Sequence, residues 1–218
     1  MLKSKRDYKT LDKVVYFSII EKIKTGELKP NEHLTEERLS KELGVSRSPI
    51  RKAITALVAE GVLDYRTYSG VVVKDSLVDS TRYVQLLEVI ELFVKATLEK
   101  IEQMETEIST TDLRNCIQSM DRASYLKDLD EYLFNEHQFF LRLIAHSGNP
   151  YYKDMAKKVF FNITYFAVES INQINEDMRD RTIKHLNQIV DLLDKQAFQE
   201  ANAEIKKLLG EFVVNAFR

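Results

Sequence analysis

The sequence predicts a mainly α-helical protein of two domains, with a small β-hairpin at the end of the first domain. Apolar residues recur at helical spacing through most of the 218 residues, and the pattern typical of strands falls between residues 62 and 73. The charge also changes sign along the chain. Residues 1–75 carry 15 basic and 11 acidic residues, whereas residues 76–218 carry 17 and 23, so the first domain is suited to a polyanionic partner.

The composition predicts a folded protein of the cytoplasm. Hydrophobic residues make up 44% of the chain, and there are only six glycines and three prolines, which argues against low complexity. No run of 18 apolar residues predicts a membrane span, and the N-terminal residues lack the apolar segment of a signal peptide. Cys116 is the single cysteine, so neither a disulfide within the chain nor a cysteine-based zinc site is expected.

The first domain opens with two predicted helices. Residues 10–23 carry apolar side chains at near-helical spacing, which predicts the first helix. Thr35 is an expected N-cap because two acidic residues follow it, and the short second helix should stop at Gly44.

A third helix and a hairpin complete the predicted domain. Ser46 can cap a helix that runs to Glu60, with Pro49 in the first turn, where its missing N–H needs no partner. Residues 62–66 and 71–73 predict two strands around a glycine-containing turn. This order of elements is typical of a winged helix-turn-helix, whose second motif helix enters the DNA major groove.

The third helix has the two faces that such a role requires. At 100° per residue its aliphatic side chains cluster on one side, namely Ile50, Ala53, Ile54 and Leu57. The opposite side carries polar and basic residues, namely Arg47, Ser48, Arg51, Lys52 and Thr55. In an isolated helix this would be an ordinary solvated face. Within the ordered set of helix, turn, helix and hairpin, it predicts arginine forks that read guanine and hydroxyl or N–H groups that meet phosphates.

The second domain is predicted to be an all-α bundle of six or seven helices. Strand patterns stop after residue 75, and helical periodicity continues with few breakers. We therefore expect a DNA-binding domain over 1–75, a linker over 76–80 and a helical domain over 81–218. The predicted helices are 81–106, 111–123, 128–146, 150–173, 178–195 and 197–216.

The first domain resembles the GntR family of bacterial regulators over the stretch LTEERLSKELGVSRSPIRKAITALVAEGVL. The resemblance implies that Arg38, Arg47 and Arg51 contact DNA and that Ser69-Gly70 forms the tip of the wing. Together with the helix-start and exposed-face residues, the expected DNA-binding set is Thr35, Arg38, Ser46, Arg47, Ser48, Pro49, Arg51, Lys52, Ser69 and Gly70.

The second domain resembles the FCD effector domain of the FadR-like branch, at the joint Ser147-Gly148-Asn149-Pro150 and from His185 onwards. The resemblance implies a divalent metal held by one acidic residue and three histidines. The matching positions are Glu136, Phe140, His185 and Lys207, so two of the four ligands are missing. We therefore predict no metal and no other cofactor.

The same positions are candidates for an effector pocket, with the set Tyr132, Glu136, Phe140, His185 and Lys207. One alternative is that Lys207 replaces the charge of the ion and pairs with Glu136 or with the carboxylate of an organic-acid effector. The other is that Lys207 extends to solvent and His185 is a core histidine with satisfied hydrogen bonds.

These features predict a homodimeric transcriptional regulator that binds double-stranded operator DNA and responds to a small molecule. An effector-independent dimeric repressor, whose C-terminal half only dimerises, is the second hypothesis. A helical enzyme with an attached DNA-binding module is the third. It is disfavoured because the sequence contains no nucleotide-binding, metalloprotease or nucleophile-elbow motif, so we expect no enzymatic activity.

Overall fold

The computed structural model describes residues 10–66, 70–75, 77–104 and 108–218. Contacts divide the chain into two compact units, with the boundary between Leu77 and Val78. This boundary lies within the predicted linker. The described residues form ten helices and three strands, so the prediction of a mainly helical chain is confirmed.

The N-terminal unit is a three-helix cluster with an antiparallel sheet. Its elements are α1 Leu11–Lys24, β1 His33–Leu34, α2 Glu36–Leu43, α3 Arg47–Ala59, β2 Leu63–Arg66 and β3 Gly70–Val73. Strands β2 and β3 form the predicted hairpin, with Leu63 opposite Val73. Strand β1 was not predicted. It pairs with the other edge of β3, so that the sheet order is β1-β3-β2.

The core of this unit lies between α1, α3 and the sheet. Ile19 of α1, Ile54 and Leu57 of α3, and Leu63 of β2 are each no more than 1% exposed, and α1 packs on α3. Burial of these aliphatic side chains contributes about 1.5–3 kcal/mol per residue. Helix α3 is therefore anchored by one face, while its other face remains in solvent.

Gly44 forms the turn between α2 and α3 with a left-handed backbone, φ +66°, and its N–H donates to the Ser40 carbonyl. A β-carbon at this position would meet no atom within 4 Å, so the cost of Gly44→Ala comes from the backbone alone.

We expect Gly44→Ala to lower the free energy of unfolding by about 1 kcal/mol, measured by urea denaturation. Gly210→Ala is the matched control. Gly210 is equally uncrowded but lies inside the last helix, where alanine should raise stability by about 0.5–1 kcal/mol. Equal effects at both sites would contradict this account.

The C-terminal unit is an all-helical bundle, as predicted. Its helices are α4 Ser80–Met104, α5 Thr111–Tyr125, α6 Leu129–Ala145, α7 Pro150–Phe166, α8 Glu169–Asp177, α9 Arg179–Asp194 and α10 Phe198–Ala216. Helix α10 packs on α4 and α9, and α6 packs on α5 and α7. Asn149 and Pro150 begin α7 at the predicted joint, with the Asn149 side chain accepting from the Tyr151 N–H at 3.0 Å. No helix in the described ranges combines the length and apolar character needed to cross a membrane.

The predicted continuous helix over 150–173 is wrong, because the chain leaves the helix at Ala167. Ala167 is extended, with φ −60° and ψ 131°, and forms a parallel bridge with Val78. The Val78 N–H donates to the Phe166 carbonyl at 2.7 Å, and the Val168 N–H donates to the Val78 carbonyl at 3.1 Å. These bonds to a distant segment compensate for the interrupted helix. A separate helix, α8, then begins at Glu169.

Candidate DNA-binding surface and buried cavity

The polar face of α3 is exposed over its full length. Arg47 and Arg51 are exposed, with side chains 64% and 69% accessible, while Ile50 and Leu57 on the opposite face are buried. The polar face lines an open depression of about 620 Å³ formed by Arg47, Ser48, Arg51, Lys52, Thr55 and Ala56. This is the arrangement predicted from helical periodicity, and it places three cations on one exposed face of α3.

The helix starts are arranged differently in α2 and α3. The Thr35 hydroxyl accepts from the Arg38 N–H at 3.1 Å, so it caps α2. Ser46 takes the N-cap position of α3 in extended backbone, but its side chain makes no capping bond to the described first turn. The predicted N-cap positions are therefore confirmed for both residues, but only Thr35 forms the capping hydrogen bond. Ser48 is exposed and Pro49 is half-buried in the first turn of α3.

Arg51 is held by a carboxylate from the neighbouring helix. Its Nε donates to Glu36 Oε1 at 2.8 Å and its Nη2 donates to Glu36 Oε2 at 2.9 Å. This contact lowers the pKa of the Glu36 carboxyl below its ordinary value, chiefly through the hydrogen bonds from Arg51. The partner lies on α2, 15 residues earlier in the sequence, and the sequence analysis missed it.

The other two arginines also face carboxylates. Arg38 Nε donates to Glu42 at 2.7 Å and its Nη1 donates to Glu32 at 2.6 Å. Arg47 lies 3.8 Å from Glu37, which is beyond hydrogen-bond distance. The spacing of Arg38 and Glu42, four residues apart on one helix, could have been identified from sequence. The ion pairs that join residues of different elements could not have been identified in this way.

The wing is described only at its base. Gly70 begins β3 with φ +74° and is exposed, and Arg66 at the end of β2 donates to the Asn31 side chain at 3.0 Å. Ser69 lies outside the described residues, so its predicted place at the wing tip stays a prediction.

A cavity of about 30 Å³ lies inside the C-terminal bundle. Helices α4, α6, α7, α8 and α10 all contribute to it. Its lining is Tyr83, Leu87, Ile90, Glu136, His137, Phe140, Phe160, Ile163, Asn175, Leu209 and Phe212. The Tyr83 hydroxyl donates to the Asn175 Oδ1 at 2.9 Å, but the buried Asn175 Nδ2 has no hydrogen-bond partner among the described residues. An unpaired buried donor costs about 1–3 kcal/mol, so this mostly apolar cavity contains one under-satisfied polar group.

Glu136 and His137 bring two titratable groups to the cavity. Burial raises the pKa of Glu136 to about 8, and no hydrogen bond to a described residue offsets the loss of water. Burial lowers the pKa of His137 to about 3. Its ring stacks on Phe160 at 4.4 Å, and Nδ1 lies 3.2 Å from the Thr164 hydroxyl. Both groups are therefore mainly uncharged near pH 7. His137 is not in the effector set predicted from sequence, yet it lines the cavity beside Glu136.

The predicted effector set does not come together as a whole. Glu136 and Phe140 line the cavity, whereas Tyr132, His185 and Lys207 are not among its lining residues. Tyr132 is buried and its hydroxyl donates to the Arg179 carbonyl at 3.3 Å. Lys207 is exposed, because it lies on the outward face of α10. The suggested pairing of Lys207 with Glu136 is therefore wrong, and its alternative, a solvated lysine, describes the structure.

His185 is engaged by two carboxylates of α10. Its Nδ1 lies 2.5 Å from Glu204 and its Nε2 lies 3.3 Å from Glu211. Glu204 and Glu211 are two helical turns apart and so share a face, which is the sequence signal that could have identified them. Within the described part of the chain, no group of three or more His, Cys, Asp or Glu residues is arranged to hold a metal.

The fold and the surface define a class of protein: a DNA-binding transcriptional regulator with a winged helix-turn-helix followed by a helical bundle. Residues 11–73 match the model of bacterial regulatory proteins of the gntR family, and residues 85–211 match the model of the FCD domain. The chain belongs to the GntR family of regulators, in its FCD branch.

Curated relatives are gluconate operon transcriptional repressors. The protein of Bacillus licheniformis is 29% identical over 129 residues, which cover 58% of this chain and 52% of that protein. The protein of Bacillus subtilis (strain 168) is 24% identical over 136 residues, which cover 61% and 55%. The chain thus matches about half the length of these relatives.

Solved structures extend the similarity to nearly the whole chain. One solved structure is 43% identical to this chain, with a TM-score of 0.86 over 98% of this chain and 99% of that one. Its description states that Lar controls the expression of the Listeria monocytogenes agr system and mediates virulence. A putative GntR regulator from Rhodococcus sp. RHA1 is 15% identical, with a TM-score of 0.68 over 94% and 97%. The second similarity shows the fold alone.

Proposed function

We propose that this regulator acts in the cytoplasm as an effector-controlled homodimer without enzymatic activity, and that its effector binds in the cavity beside Glu136. The observation that carries the proposal is the buried Asn175 Nδ2, which has no hydrogen-bond partner among the described residues and lines the same cavity as the buried Glu136 carboxyl. A folded protein rarely leaves such groups unsatisfied. Glu136 and the Asn175 Nδ2 therefore favour an occupant that forms hydrogen bonds with both.

The small size of the cavity is what would couple effector binding to operator affinity. A volume of about 30 Å³ holds roughly one water molecule, so a larger occupant must move the helices that line it. Such a ligand binds an expanded bundle more tightly than the compact one and shifts the population towards it. Because two recognition helices of a dimer must match the half-site spacing of an operator, a shift in the bundle can change operator affinity.

The chemistry of the lining favours a neutral effector, or a cation that ionises Glu136 and pairs with its carboxylate, over the organic acid expected from the sequence. That expectation depended on Lys207, which is exposed, and the lining contains Glu136 but neither lysine nor arginine. A buried anion without a cation is strongly disfavoured. We propose a compact molecule with an amino, amide or hydroxyl group, which donates to Glu136, and an acceptor, which receives the Asn175 N–H.

A thermal-shift screen tests this proposal. We expect small amines, amides or polyols to raise the melting temperature of the full chain, because a ligand at 100 times its Kd adds about 2.7 kcal/mol of stability. Gluconate and other organic acids form the second arm of the screen. The same compound should change affinity for operator DNA.

Two variants test whether the rise in melting temperature comes from binding beside Glu136. Glu136→Gln should abolish the shift, whereas Lys207→Ala, the matched control on an exposed site, should leave it unchanged. A shift produced only by organic acids and lost in Lys207→Ala would refute the proposed chemistry. Absence of any shift, with operator binding intact, would favour the second hypothesis of an effector-independent dimeric repressor.

A further inference from the structure

We propose that Glu36 is a positioning residue for DNA recognition, which orients the Arg51 guanidinium so that its free edge reads guanine. The inference deepens the DNA-binding function of α3 and depends on it. It rests on the bidentate contact between Arg51 and Glu36, at 2.8 and 2.9 Å, on an otherwise exposed surface.

The geometry of the contact leaves the reading edge of the arginine free. Glu36 occupies the side edge of the guanidinium, formed by Nε and one hydrogen of Nη2. A guanidinium has five N–H donors in a planar fork, so the end edge formed by Nη1 and the second Nη2 hydrogen remains. Two parallel donors of this kind match the O6 and N7 acceptors of guanine.

Glu36 is itself well placed to hold a long side chain. It is the first residue of α2, directly after the Thr35 cap, where the helix dipole favours a carboxylate. An exposed arginine carries about 2 kcal/mol of rotamer entropy, which is lost when it is ordered on DNA. Because Glu36 orders Arg51 before binding, less of that entropy remains to be lost at the base contact.

A simple charge effect predicts a different outcome. A carboxylate close to the DNA repels phosphates, and this repulsion lowers affinity for every sequence equally. Orientation of Arg51 instead affects only the preference for guanine. We therefore compare the affinity for the operator with the affinity for the same duplex in which the relevant guanine is replaced. This quotient, the guanine ratio, separates the two roles.

The test uses the full chain and a duplex selected by the wild-type protein from random DNA. The relevant guanine is identified with the Arg51→Ala variant. Its replacement weakens binding of the wild-type chain but not of this variant. We expect Glu36→Gln to raise affinity for random DNA and to reduce the guanine ratio by about tenfold, within the range that one bidentate contact provides.

Two further variants control for charge and for folding. Glu37→Gln removes the same charge from the next position of α2, where the carboxylate lies 3.8 Å from Arg47, and should leave the guanine ratio unchanged. Glu36→Asp keeps the charge but withdraws the carboxylate, so it should reduce the ratio without raising affinity for random DNA. Thermal unfolding confirms that each variant is folded.

A double-mutant cycle completes the test. In the Arg51→Ala background, Glu36→Gln should cause no further loss of guanine preference, because the residue that it positions is gone. An unchanged guanine ratio in Glu36→Gln, or an equal loss in Glu37→Gln, would overturn the proposal. If the wild-type chain itself shows no preference for the operator over random DNA, recognition of bases by α3 is contradicted instead.

Discussion

Replacing Arg51 with alanine is expected to weaken binding of the selected operator by about 1–3 kcal/mol, with Arg47→Ala somewhat less damaging. Both guanidinium groups lie on the exposed face of α3. In the proposed role, loss of Arg51 removes a base contact, and it also leaves the Glu36 carboxylate without its partner on the face that would meet the DNA. Arg47 makes no comparable contact, since Glu37 is 3.8 Å away.

Fluorescence anisotropy at one fixed salt concentration measures this effect. Lys52→Ala should weaken binding to all sequences alike and reduce the salt slope by about one, as expected for a phosphate contact. Lys95→Ala removes the same charge from the exposed side of α4 in the other unit and serves as the control. Unchanged operator affinity in both arginine variants would rule out α3 as the recognition helix.

The second large effect is expected at Glu136, as a change in how stability depends on pH. Burial raises the pKa of this carboxyl to about 8 in the folded chain. The folded state therefore holds a proton that the unfolded state releases above about pH 4.5. Its contribution is fully present below that pH, and it is lost as pH rises towards 8. The total loss is on the order of 5 kcal/mol.

Glu136→Gln should remove this dependence, because glutamine keeps the shape and cannot ionise. Urea denaturation at intervals between pH 6.5 and 9, above the range in which His137 titrates in the unfolded chain, should show wild-type stability falling with pH and the variant nearly level. Glu99→Gln, at a side chain 57% exposed on α4, is the matched control and should behave like the wild type. A wild-type curve that is level from pH 6.5 to 9 would contradict the burial of an unpaired carboxyl.

His137 affects the opposite limb of the same curve. Its pKa is lowered to about 3 by burial, so the unfolded state gains a proton below about pH 6.5 that the folded state does not take up. Stability is therefore lost as pH falls through this range. The acidic decline should persist in Glu136→Gln, which distinguishes the two neighbours in a single titration.

Local patterns in the sequence predicted the DNA-binding unit well. Helix α3 has its apolar and basic faces where the 100° period places them, since exposure along a helix follows from spacing alone. Gly44 ends α2 because a left-handed backbone favours glycine wherever it occurs. The hairpin of β2 and β3 was equally predictable. Strand β1 was not, because a strand of two residues has no period of its own.

Distant contacts account for what the sequence analysis missed. The helix break at Ala167 arises from bonds to Val78, 89 positions earlier. The cavity takes Tyr83, Glu136 and Asn175 from three different helices, and each is separately an unremarkable polar residue in an amphipathic helix. The error at Lys207 has the same origin, since a matching sequence position does not specify which way a side chain points once α10 packs on α4.

The sequence by itself determined the helical class, the winged helix-turn-helix and the basic face of α3, because these follow from spacing, capping and turn chemistry within short stretches. Only the tertiary structure decided the partners: Glu36 for Arg51, the two carboxylates for His185, and Glu136 beside an Asn175 Nδ2 that has no partner among the described residues. The physical reason is that hydrogen bonds and burial depend on distances in space, which helix packing sets between residues far apart in the chain.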